Sequence, residues 1–453
     1  MVNDEVLFKE PLVELIAVSK HLKISDFGPE QLSAYGAFGC FEEKTPIQIY
    51  ESIPEDKRRK REETVLRESA GRGHGSVADQ NSFTFVIEDL TRAATLQLCS
   101  PHYLAHLQQS LRRATANRAF FVPEQLRQSS LFNEVKQVLF DSFLLYEKMS
   151  GKGVPKEDAR FLLPLYTKTN IQTTGDAREL MHLYAMNKQG EVPSAVTRVV
   201  DEMIRQASSI APNLFKDWGF NYEVLAWYPA AQLYASQNKT VNEIIKENNH
   251  PKEPVFFEHE LSEEAVDRAV KERNEAELAN LKHVHNAGKM NGFLIPMSLA
   301  CFHQAIRQRT WDHSVESIYD AASRGEFITP PSVKGSEFVD EFNEQNRRML
   351  ELYKSLVQEG VERKEAIGVL PHSLMIYDVI HVNGWNLIHS IGKRTCTEAQ
   401  WEIRAIANKL ASIAREKNPI AAKYSLPQGV TYGKCPERNP CGLCDRIRKE
   451  LGL

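Results

Sequence analysis

The sequence predicts an α+β protein built from two tandem copies of one helix-dominated domain. Two observations support this prediction. Segments of the first half recur in the second half at a constant spacing of 207 residues. Each copy also combines a short alternating apolar–polar stretch with several longer stretches of helical periodicity. At 453 residues the chain is long enough for two or three domains.

Three pairs of segments share the spacing of 207 residues. LQLCSPHYLAHLQQSL pairs with CFHQAIRQRTWDHSVESI, EDARFLLP with KEAIGVLP, and GDARELMHLYAMN with VNGWNLIHSIGKR. This alignment places Gln97 opposite Gln304 and Ser110 opposite Ser317. Two unrelated helical regions would share apolar periodicity, but not a Leu-Pro pair, a Gln and a Ser in one register. The pattern therefore indicates an internal duplication.

The secondary structure of each copy follows from its own pattern. Ser82–Ile87 alternates apolar and polar residues and is rich in β-branched and aromatic side chains, so it predicts a strand, with Gly292–Met297 as its counterpart. Helical spacing predicts helices over Thr91–Arg113, Leu131–Met149, Lys156–Leu163, Gly175–Met186, Leu299–Arg309, Lys364–Leu370 and Asn386–Lys393. The highly charged stretch Lys246–Glu277 indicates a linker and the first helix of the second copy.

These patterns divide the chain into three consecutive parts. We assign residues 1–245 to a first repeat, 246–425 to a second repeat, and 426–453 to a C-terminal tail that contains cysteines.

Composition excludes several classes of protein. The formal net charge is −4, which does not favour broad binding to nucleic acid. The first residues show no basic segment followed by a long apolar core, so no signal peptide is expected. No stretch approaches the roughly 18 uninterrupted apolar residues that a membrane span needs. The cytoplasm is the expected location.

The motifs in both halves resemble those of the flavin-dependent thymidylate synthase family. In that family a histidine precedes a strand, and the following helix delivers a Gln, an Arg-His-Arg, seven residues and a Ser. The first half contains GHGSVADQNSFTFVIEDLTRAATLQLCSPHYLAHLQQSLRR, and the second half contains Gln304, Arg307-Gln308-Arg309 and Ser317. Downstream, VNGWNLIHSIGKRTCTEAQWEIR is similar to the family's C-terminal signature.

The resemblance implies a fold, an assembly and a reaction. The fold is a helix-rich domain with a small antiparallel sheet, which in the family assembles as a homotetramer with active sites between subunits. A fused chain would then form a homodimer that mimics the tetramer. The implied reaction uses FAD reduced by NADPH, and it transfers a methylene group from methylenetetrahydrofolate to C5 of dUMP.

Motif positions imply which residues contact the substrate. Phosphate groups favour arginine, because guanidinium binds them in a bidentate geometry that ammonium lacks. The matching substrate-binding residues are Gln97, Ser110, Arg112, Arg160, Gln304, Ser317 and Arg394. Among them, Ser110, Ser317 and Arg394 are the candidates for a catalytic role.

Motif positions also imply which residues contact the flavin. Arginines bind its diphosphate, while an amide or imidazole orients its ring. The matching residues are His74, Arg178, His182, Arg307, Gln308, Arg309, Asn383 and His389. The two histidines on helices, His182 and His389, are equally well read as buried core side chains.

The two halves have lost different parts of the motif. In the first half Ser100-Pro101-His102 replaces Arg-His-Arg, whereas Arg112 and Arg160 remain. In the second half Arg307 and Arg394 remain, but the counterpart of Arg160 is Ile367. We therefore expect composite pockets that draw residues from both halves. A first motif that has decayed to a structural role is an open alternative, because proline interrupts a helix.

Three cysteines of the tail form a separate candidate site. Cys435, Cys441 and Cys444 include a Cys-x-x-Cys turn with a glycine inside it, as metal-thiolate turns often do. A closed zinc site needs a fourth ligand from elsewhere. Zinc, an iron–sulfur cluster, redox thiols and an incidental tail remain the alternatives.

The leading hypothesis is an FAD-dependent thymidylate synthase-like enzyme that methylates dUMP to dTMP. The alternative is a flavin- or nucleotide-binding relative that has kept the fold and lost the reaction. It is favoured by the incomplete Arg-His-Arg motif in both halves, since Gln308 cannot carry the charge of a histidine.

Overall fold

The computed structural model describes most of the chain. The described residues are 8–72, 74–112, 114, 116, 120–216, 230–257, 264, 292–417, 419–431, 433, 435 and 440–451. Most of the charged stretch Lys246–Glu277 therefore lies outside the described residues, and its predicted helix is not addressed.

The chain forms two compact units whose residue ranges differ from those of the two repeats. Unit 1 comprises residues 1–145, 163–228 and 351–370, and unit 2 comprises residues 146–162, 229–350 and 371–453. Unit 1 thus contains residues 351–370 of the second repeat, and unit 2 contains residues 146–162 and 229–245 of the first repeat. The boundaries assigned to the repeats themselves stay a prediction.

Unit 1 contains a four-stranded antiparallel sheet with helices packed against it. Its strands are β1 (Leu12–Val18), β2 (Phe83–Thr91), β3 (Ala105–Gln108) and β4 (Lys168–Gly175), in the order β1-β2-β4-β3. The α-helices whose residues lie wholly in unit 1 are Pro29–Gly39, Pro46–Ser52, Glu55–Glu68, Gly75–Ala78, Arg92–Leu98, Glu124–Gln128, Ala177–Gln189, Ser194–Ile210 and Arg363–Ala366, and 3-10 helices lie at Ala70–Arg72 and Ile367–Val369.

Unit 2 repeats the same sheet. Its strands are β5 (Val255–Phe256), β6 (Gly292–Ser298), β7 (Asp312–Val315) and β8 (Met375–His381), in the order β5-β6-β8-β7. Its α-helices are Lys156–Ala159, Lys239–Glu247, Leu299–Ala305, Ile318–Arg324, Pro331–Lys334, Gly384–Asn386, Gly392–Arg394, Trp401–Lys417, Pro419–Ala422, Gln428–Thr431 and Leu443–Leu451, with a 3-10 helix at Arg160–Leu162 and a π-helix at Leu387–Ile391.

Two long helices, Phe132–Gly151 and Val339–Glu359, carry residues of both units. The first begins in unit 1 and ends in unit 2, and the second does the reverse. The segments that follow them are therefore the ones exchanged between the repeats.

The spacing of 207 residues found in the sequence recurs in the structure. It relates β3 to β7, the helix Arg92–Leu98 to Leu299–Ala305, and the helix Ser194–Ile210 to Trp401–Lys417. The isolated bridge between Phe120 and Thr167 recurs between Phe327 and Leu374. The predicted α+β fold, two copies of a helix-rich domain with a small antiparallel sheet, is confirmed.

The helix after the second strand of each sheet is shorter than predicted. Thr91–Arg113 is helical only from Arg92 to Leu98, and Leu299–Arg309 only from Leu299 to Ala305. In the first repeat Pro101 has no N–H to continue the helix, and the Ser100 hydroxyl donates back to the Leu96 carbonyl at 3.0 Å.

Both of these helices start on a short polar side chain. The hydroxyl of Thr91 accepts a hydrogen bond from the Ala94 N–H at 3.1 Å, and that of Ser298 accepts one from the Cys301 N–H at 3.0 Å. Such caps satisfy N–H groups that have no partner inside the helix, which fixes where each helix starts.

The exchanged segments bind their host units through buried or half-buried carboxylates. In unit 2, Asp158 accepts hydrogen bonds from Trp401 Nε1 at 2.8 Å and from the Ser332 hydroxyl at 2.5 Å. In unit 1, Glu365 accepts from the N–H of Ser194 at 2.8 Å and from its hydroxyl at 2.7 Å. Asp158 and Glu365 are counterparts, as are Trp401 and Ser194.

No helix within the part of the chain that the structure describes has both the length and the apolar character to cross a membrane.

Candidate functional site

A cluster of charged side chains in unit 2 combines residues of both repeats. Arg160, from the first repeat, is buried, and its guanidinium donates to the carbonyls of Glu157 at 3.1 Å and Ala300 at 3.5 Å. The charges of Arg160 and Arg394 both act on the buried Cys301 thiol. The exchange of segments therefore brings an arginine of one repeat near the last motif arginine of the other.

Cys301 itself is not suited to nucleophilic catalysis. Burial raises the pKa of its thiol, and the negative charge of Glu402 adds to that effect. The thiol therefore stays protonated at neutral pH, and a protonated thiol is a poor nucleophile.

Glu402 is the buried acid of this cluster. Its carboxylate accepts hydrogen bonds from the N–H of Ser298 at 2.8 Å and from the Ser298 hydroxyl at 2.6 Å. Burial nevertheless raises the pKa of Glu402 to about 7, so its charge changes near neutral pH.

The two motif glutamines lie in different environments. In unit 1 Gln97 is buried, and its amide donates to the side-chain oxygen of Asn187 at 2.8 Å. In unit 2 the residue at the position of Asn187 is Arg394. The buried amide nitrogen of Gln304 makes no hydrogen bond to any described residue. An unsatisfied buried donor is costly, so this nitrogen is a candidate for contact with a bound ligand.

Arg394 also lines a cavity of about 290 Å³ together with part of the C-terminal tail. The cavity walls include Lys393, Gln428 and Cys435. Gln428 Nε2 lies 3.4 Å from Nδ1 of His389. This histidine lies in the π-helix Leu387–Ile391, a rare geometry that is frequent at functional sites.

The remaining motif residues of the second repeat divide into exposed and buried ones. Arg307 and Arg309 are exposed and Gln308 is half-buried. Ser317 is buried; its hydroxyl donates to the Ala235 carbonyl at 2.7 Å and starts the helix Ile318–Arg324.

Asn383 begins the helix Gly384–Asn386. Its side-chain oxygen accepts the Asn386 N–H at 3.0 Å, as that of its counterpart Asp176 accepts the Glu179 N–H at 2.8 Å.

In unit 1 the structure brings together His74 and Arg178. His74 is exposed and precedes the short helix Gly75–Ala78, and Arg178 pairs with Asp79 at 3.1 Å. A Cβ at position 75 would come within 2.5 Å of the Arg178 guanidinium carbon, so only glycine allows this approach. A glycine turn beside a guanidinium suits a phosphate group.

His182 lies near this pair but is buried. Burial lowers the pKa of His182 to about 4, and the charges of His102 and Arg178 lower it further, so the ring is neutral at pH 7. Burial also raises the pKa of the neighbouring Asp176 to about 6.

Ser110 and Arg112 follow strand β3 instead of a helix. Ser110 is exposed, and its hydroxyl accepts the Arg112 N–H at 3.2 Å. The hydrogen bond places the backbone of Arg112 against the Ser110 hydroxyl, and a joint role of the two side chains stays a prediction.

The metal site predicted for the tail finds no support. No group of three or more His, Cys, Asp or Glu side chains could hold a metal ion among the residues with described positions. Cys441 is exposed and lies 3.3 Å from the Thr397 hydroxyl, whereas Cys444 is buried against Gly429. Burial raises the pKa of the Cys444 thiol, and the nearby thiols of Cys435 and Cys396 raise it further.

Two buried acids of unit 2, Asp158 and Glu402, and the cavity residue Gln428 were not predicted from the sequence. Glu402 lies in the quoted C-terminal signature but was assigned no role, although a glutamate between apolar residues on a helix is a signal of a buried acid. Asp158 could have been found as the counterpart of Glu365. Nothing in the sequence pointed to Gln428, because it lies outside the family motifs.

Comparison with known proteins matches both halves of the chain to one family. The sequence model of the thymidylate synthase complementing protein family, Thy1, matches residues 24–213 and again residues 224–420.

Individual relatives match one stretch of the chain each. The flavin-dependent thymidylate synthase of Geobacter sulfurreducens is 35% identical over 152 residues, which is 32% of this chain and 65% of the relative. That of Pyrococcus furiosus is 32% identical over 146 residues, or 30% of this chain and 60% of the relative. That of Thermococcus onnurineus is 33% identical over 171 residues, or 34% of this chain and 70% of the relative. The chain thus spans less than two thirds of the length of the first two.

One solved structure is also similar, the UMP/dUMP methylase PolB from Streptomyces cacaoi bound with 5-Br dUMP. It has a TM-score of 0.39 and 16% identity, over 47% of this chain and 95% of the other. The two matches of the family model together cover most of the sequence, in the same two halves as the repeated motifs. The chain belongs to the thymidylate synthase complementing protein family.

Proposed function

We propose that the protein is an FAD-dependent thymidylate synthase that converts dUMP to dTMP with methylenetetrahydrofolate and NADPH. The observation that carries the proposal is the position of Arg160 in unit 2, where its charge and that of Arg394 act on one buried group. Two guanidiniums in one cluster favour an anionic ligand, because guanidinium binds phosphate and carboxylate oxygens in a bidentate geometry. The names of the relatives support the same activity.

We assign the substrate to the cluster in unit 2. Arg160 and Arg394 would bind the anionic groups of dUMP, and the free amide N–H of Gln304 would donate to an acceptor on it. A fixed guanidinium or amide near the uracil carbonyls stabilises the negative charge that develops as C5 becomes nucleophilic. The protonated Cys301 takes no part in bond formation.

The polar groups around His74 and Arg178 in unit 1 suit FAD. His74, Gly75 and Arg178 form a glycine turn beside a guanidinium, which suits the diphosphate, and the neutral ring of His182 offers a polar contact without charge. When bound, FAD supplies the hydride that completes the methyl group. Arg307, Gln308, Arg309, Asn383 and His389 remain proposed contacts, and a homodimer of fused chains is the proposed assembly.

The alternative, a nucleotide-binding relative without synthase activity, also has an observation in its favour. The Ser317 hydroxyl is used to bind the Ala235 carbonyl, so it is less available to a substrate. The location in the cytoplasm is part of the proposal as well.

The test measures dTMP formation from dUMP, methylenetetrahydrofolate and NADPH by the purified protein loaded with FAD. Arg160→Ile and Arg394→Asn each install the residue that the other repeat has at that position. We expect each to lower kcat/KM by about 100-fold or more, as loss of a charged contact to the transition state does. Arg347→Ala, which removes an exposed arginine paired with Glu344, is the control and should leave kcat/KM unchanged.

Absence of dTMP from a folded protein that binds FAD would favour the alternative. Full activity of both Arg160→Ile and Arg394→Asn would overturn the assignment of the substrate to this cluster.

A further inference from the structure

Unit 2 contains a second and larger cavity, of about 910 Å³, that none of Arg160, Gln304 or Arg394 lines. Its apolar wall includes Phe327 and Ile406. A volume of this size is typical of sites for small organic ligands. The helix Trp401–Lys417 contributes one side of the cavity, including Trp401 itself.

The corresponding place in unit 1 is filled by the chain itself. There the ring of Phe8 lies under the guanidinium of Arg127, with 4.6 Å between the guanidinium carbon and the ring centre. The next residue, Lys9, accepts a hydrogen bond on its carbonyl from Lys168 Nζ at 2.9 Å. An aromatic ring and a polar group thus occupy the space in unit 1.

A third contact in unit 1 is the ion pair of Glu10 with Arg198. The counterparts of the three anchoring residues, Arg127, Lys168 and Arg198, all line the cavity in unit 2.

Those counterparts are Lys334, Met375 and Ala405, each 207 residues further along the chain. The cation that lies on the aromatic ring is kept as a lysine, while the other two positions have lost their charge. The pocket keeps a cation at the position of Arg127, and the rings of Phe327 and Trp401 form part of its wall.

The charges around the cavity leave one lysine available. Lys252 pairs with Glu326 at 2.6 Å and Lys409 pairs with Glu253 at 3.1 Å. Lys334 pairs with no carboxylate among the residues that the structure describes. The lysines of the mouth therefore outnumber the glutamates paired with them by one. Glu402 also lines the cavity, and burial raises its pKa to about 7, so it is largely uncharged below that pH.

We propose that this cavity binds a small aromatic monoanion, with its ring packed against Phe327 and Lys334 and its anionic group at the lysines of the mouth. Lysine over an aromatic face contributes a cation–π attraction, and an anionic group adds a charge contact. The ligand would take the place that Phe8 and Glu10 occupy in unit 1.

The test uses 8-anilino-1-naphthalenesulfonate, an aromatic monoanion whose fluorescence rises on binding, and N-phenyl-1-naphthylamine, which has the same rings without the charge. Titrations contain saturating FAD and dUMP. We expect saturable binding of one sulfonate probe per chain, about tenfold weaker in Lys334→Met. The neutral probe should bind wild type and Lys334→Met equally.

A second variant tests the cavity without depending on charge. Ala405 is exposed on the cavity wall, so Ala405→Trp fills the space without entering the core, and we expect it to abolish binding of both probes. Arg127→Met, at the counterpart of Lys334, is the matched control and should leave both affinities unchanged.

Three results would overturn the proposal. One is the absence of saturable binding to the wild type. Another is an affinity for the sulfonate probe that neither Lys334→Met nor Ala405→Trp alters. The third combines two observations: the wild type binds no probe, and Ala405→Trp changes the oligomeric state measured by sedimentation. The cavity would then be a contact between copies of this chain.

Discussion

Gly75 is a position at which one added methyl group should weaken ligand binding without destabilising the fold. A Cβ there would meet the guanidinium of Arg178 at 2.5 Å, and a flexible side chain can move away from it at little cost. Gly75→Ala should therefore leave the thermal midpoint nearly unchanged and weaken FAD binding by about tenfold, through loss of a cationic contact.

Flavin absorbance during titration with FAD measures this effect. Gly151→Ala is the control, because no atom lies within 4 Å of a Cβ at that position. Equal FAD affinity of Gly75→Ala and the wild type would contradict the role assigned to Arg178.

The buried carboxyl of Glu402 makes stability depend on pH. Burial raises the folded-state pKa to about 7, above the ordinary value of 4.5. Folding therefore favours the protonated form. The resulting stabilisation is fully present below about pH 4.5 and is lost as the pH rises through about 7.

Between pH 5 and pH 8 the thermal midpoint of the wild type should therefore fall relative to that of Glu402→Gln, by an amount equivalent to roughly 2 kcal/mol. His182 and Asp176 also titrate near this range, but they do so equally in both proteins. Glu402→Gln keeps the shape of the side chain and should flatten this dependence. The same slope in both proteins would show that another group titrates there.

At the scale of single elements, the start of a helix in unit 1 depends on a carboxylate from an exchanged segment. Glu365 accepts two hydrogen bonds from Ser194, the first residue of the helix Ser194–Ile210. Glu365→Ala should destabilise the protein by about 1–2 kcal/mol, as loss of a helix cap does. Urea unfolding measures the change, with Glu351→Ala, an exposed position on a helix, as the control. A change below the error of the measurement would argue against this anchor.

Long amphipathic periodicity records which face of a helix is buried, and it predicted some of the helices. The longer helices Ser194–Ile210, Val339–Glu359 and Trp401–Lys417 were not predicted. Phe132–Gly151 and Ala177–Gln189 begin and end within three residues of the predicted bounds. Only strands β2 and β6 were predicted. Strands β3 and β7 have four residues each, too few to show alternation, and β8 is buried on both faces, so it shows no alternation either. In the second repeat, the turn after Ala305 has no proline to signal it.

The sequence predicted less of the candidate site than of the fold. Motif position identified Arg160 and Arg394, but their presence in one unit depends on the exchange of segments, which no local pattern reports. Similarly, the pairing of Gln97 with Asn187 requires contacts between residues far apart in the chain.

At the scale of the whole molecule, neither repeat contains a complete unit. Unit 1 needs residues 351–370, whose buried side chains include Leu356 and Ile367. We expect residues 1–245 expressed alone to lack a cooperative thermal transition, because the sites for those side chains would be exposed to water. Co-expression with residues 246–453 should restore it.

Circular dichroism of the fragment, alone and with its complement, is the measurement. A monomeric fragment of residues 1–245 with a sharp transition of its own would contradict the expectation. A fragment that becomes cooperative only as a homodimer would support it, since its own residues 146–162 could then serve as the exchanged segment.

The exchange of segments also has a consequence for synthesis on the ribosome. Unit 1 cannot be completed until residue 370 has left the exit tunnel, although its first 145 residues are made much earlier. At about 5–20 residues per second, that interval lasts roughly 11–45 s. During this time the nascent chain exposes apolar surface that only later residues can cover, so this protein should depend on chaperones that hold unfinished chains.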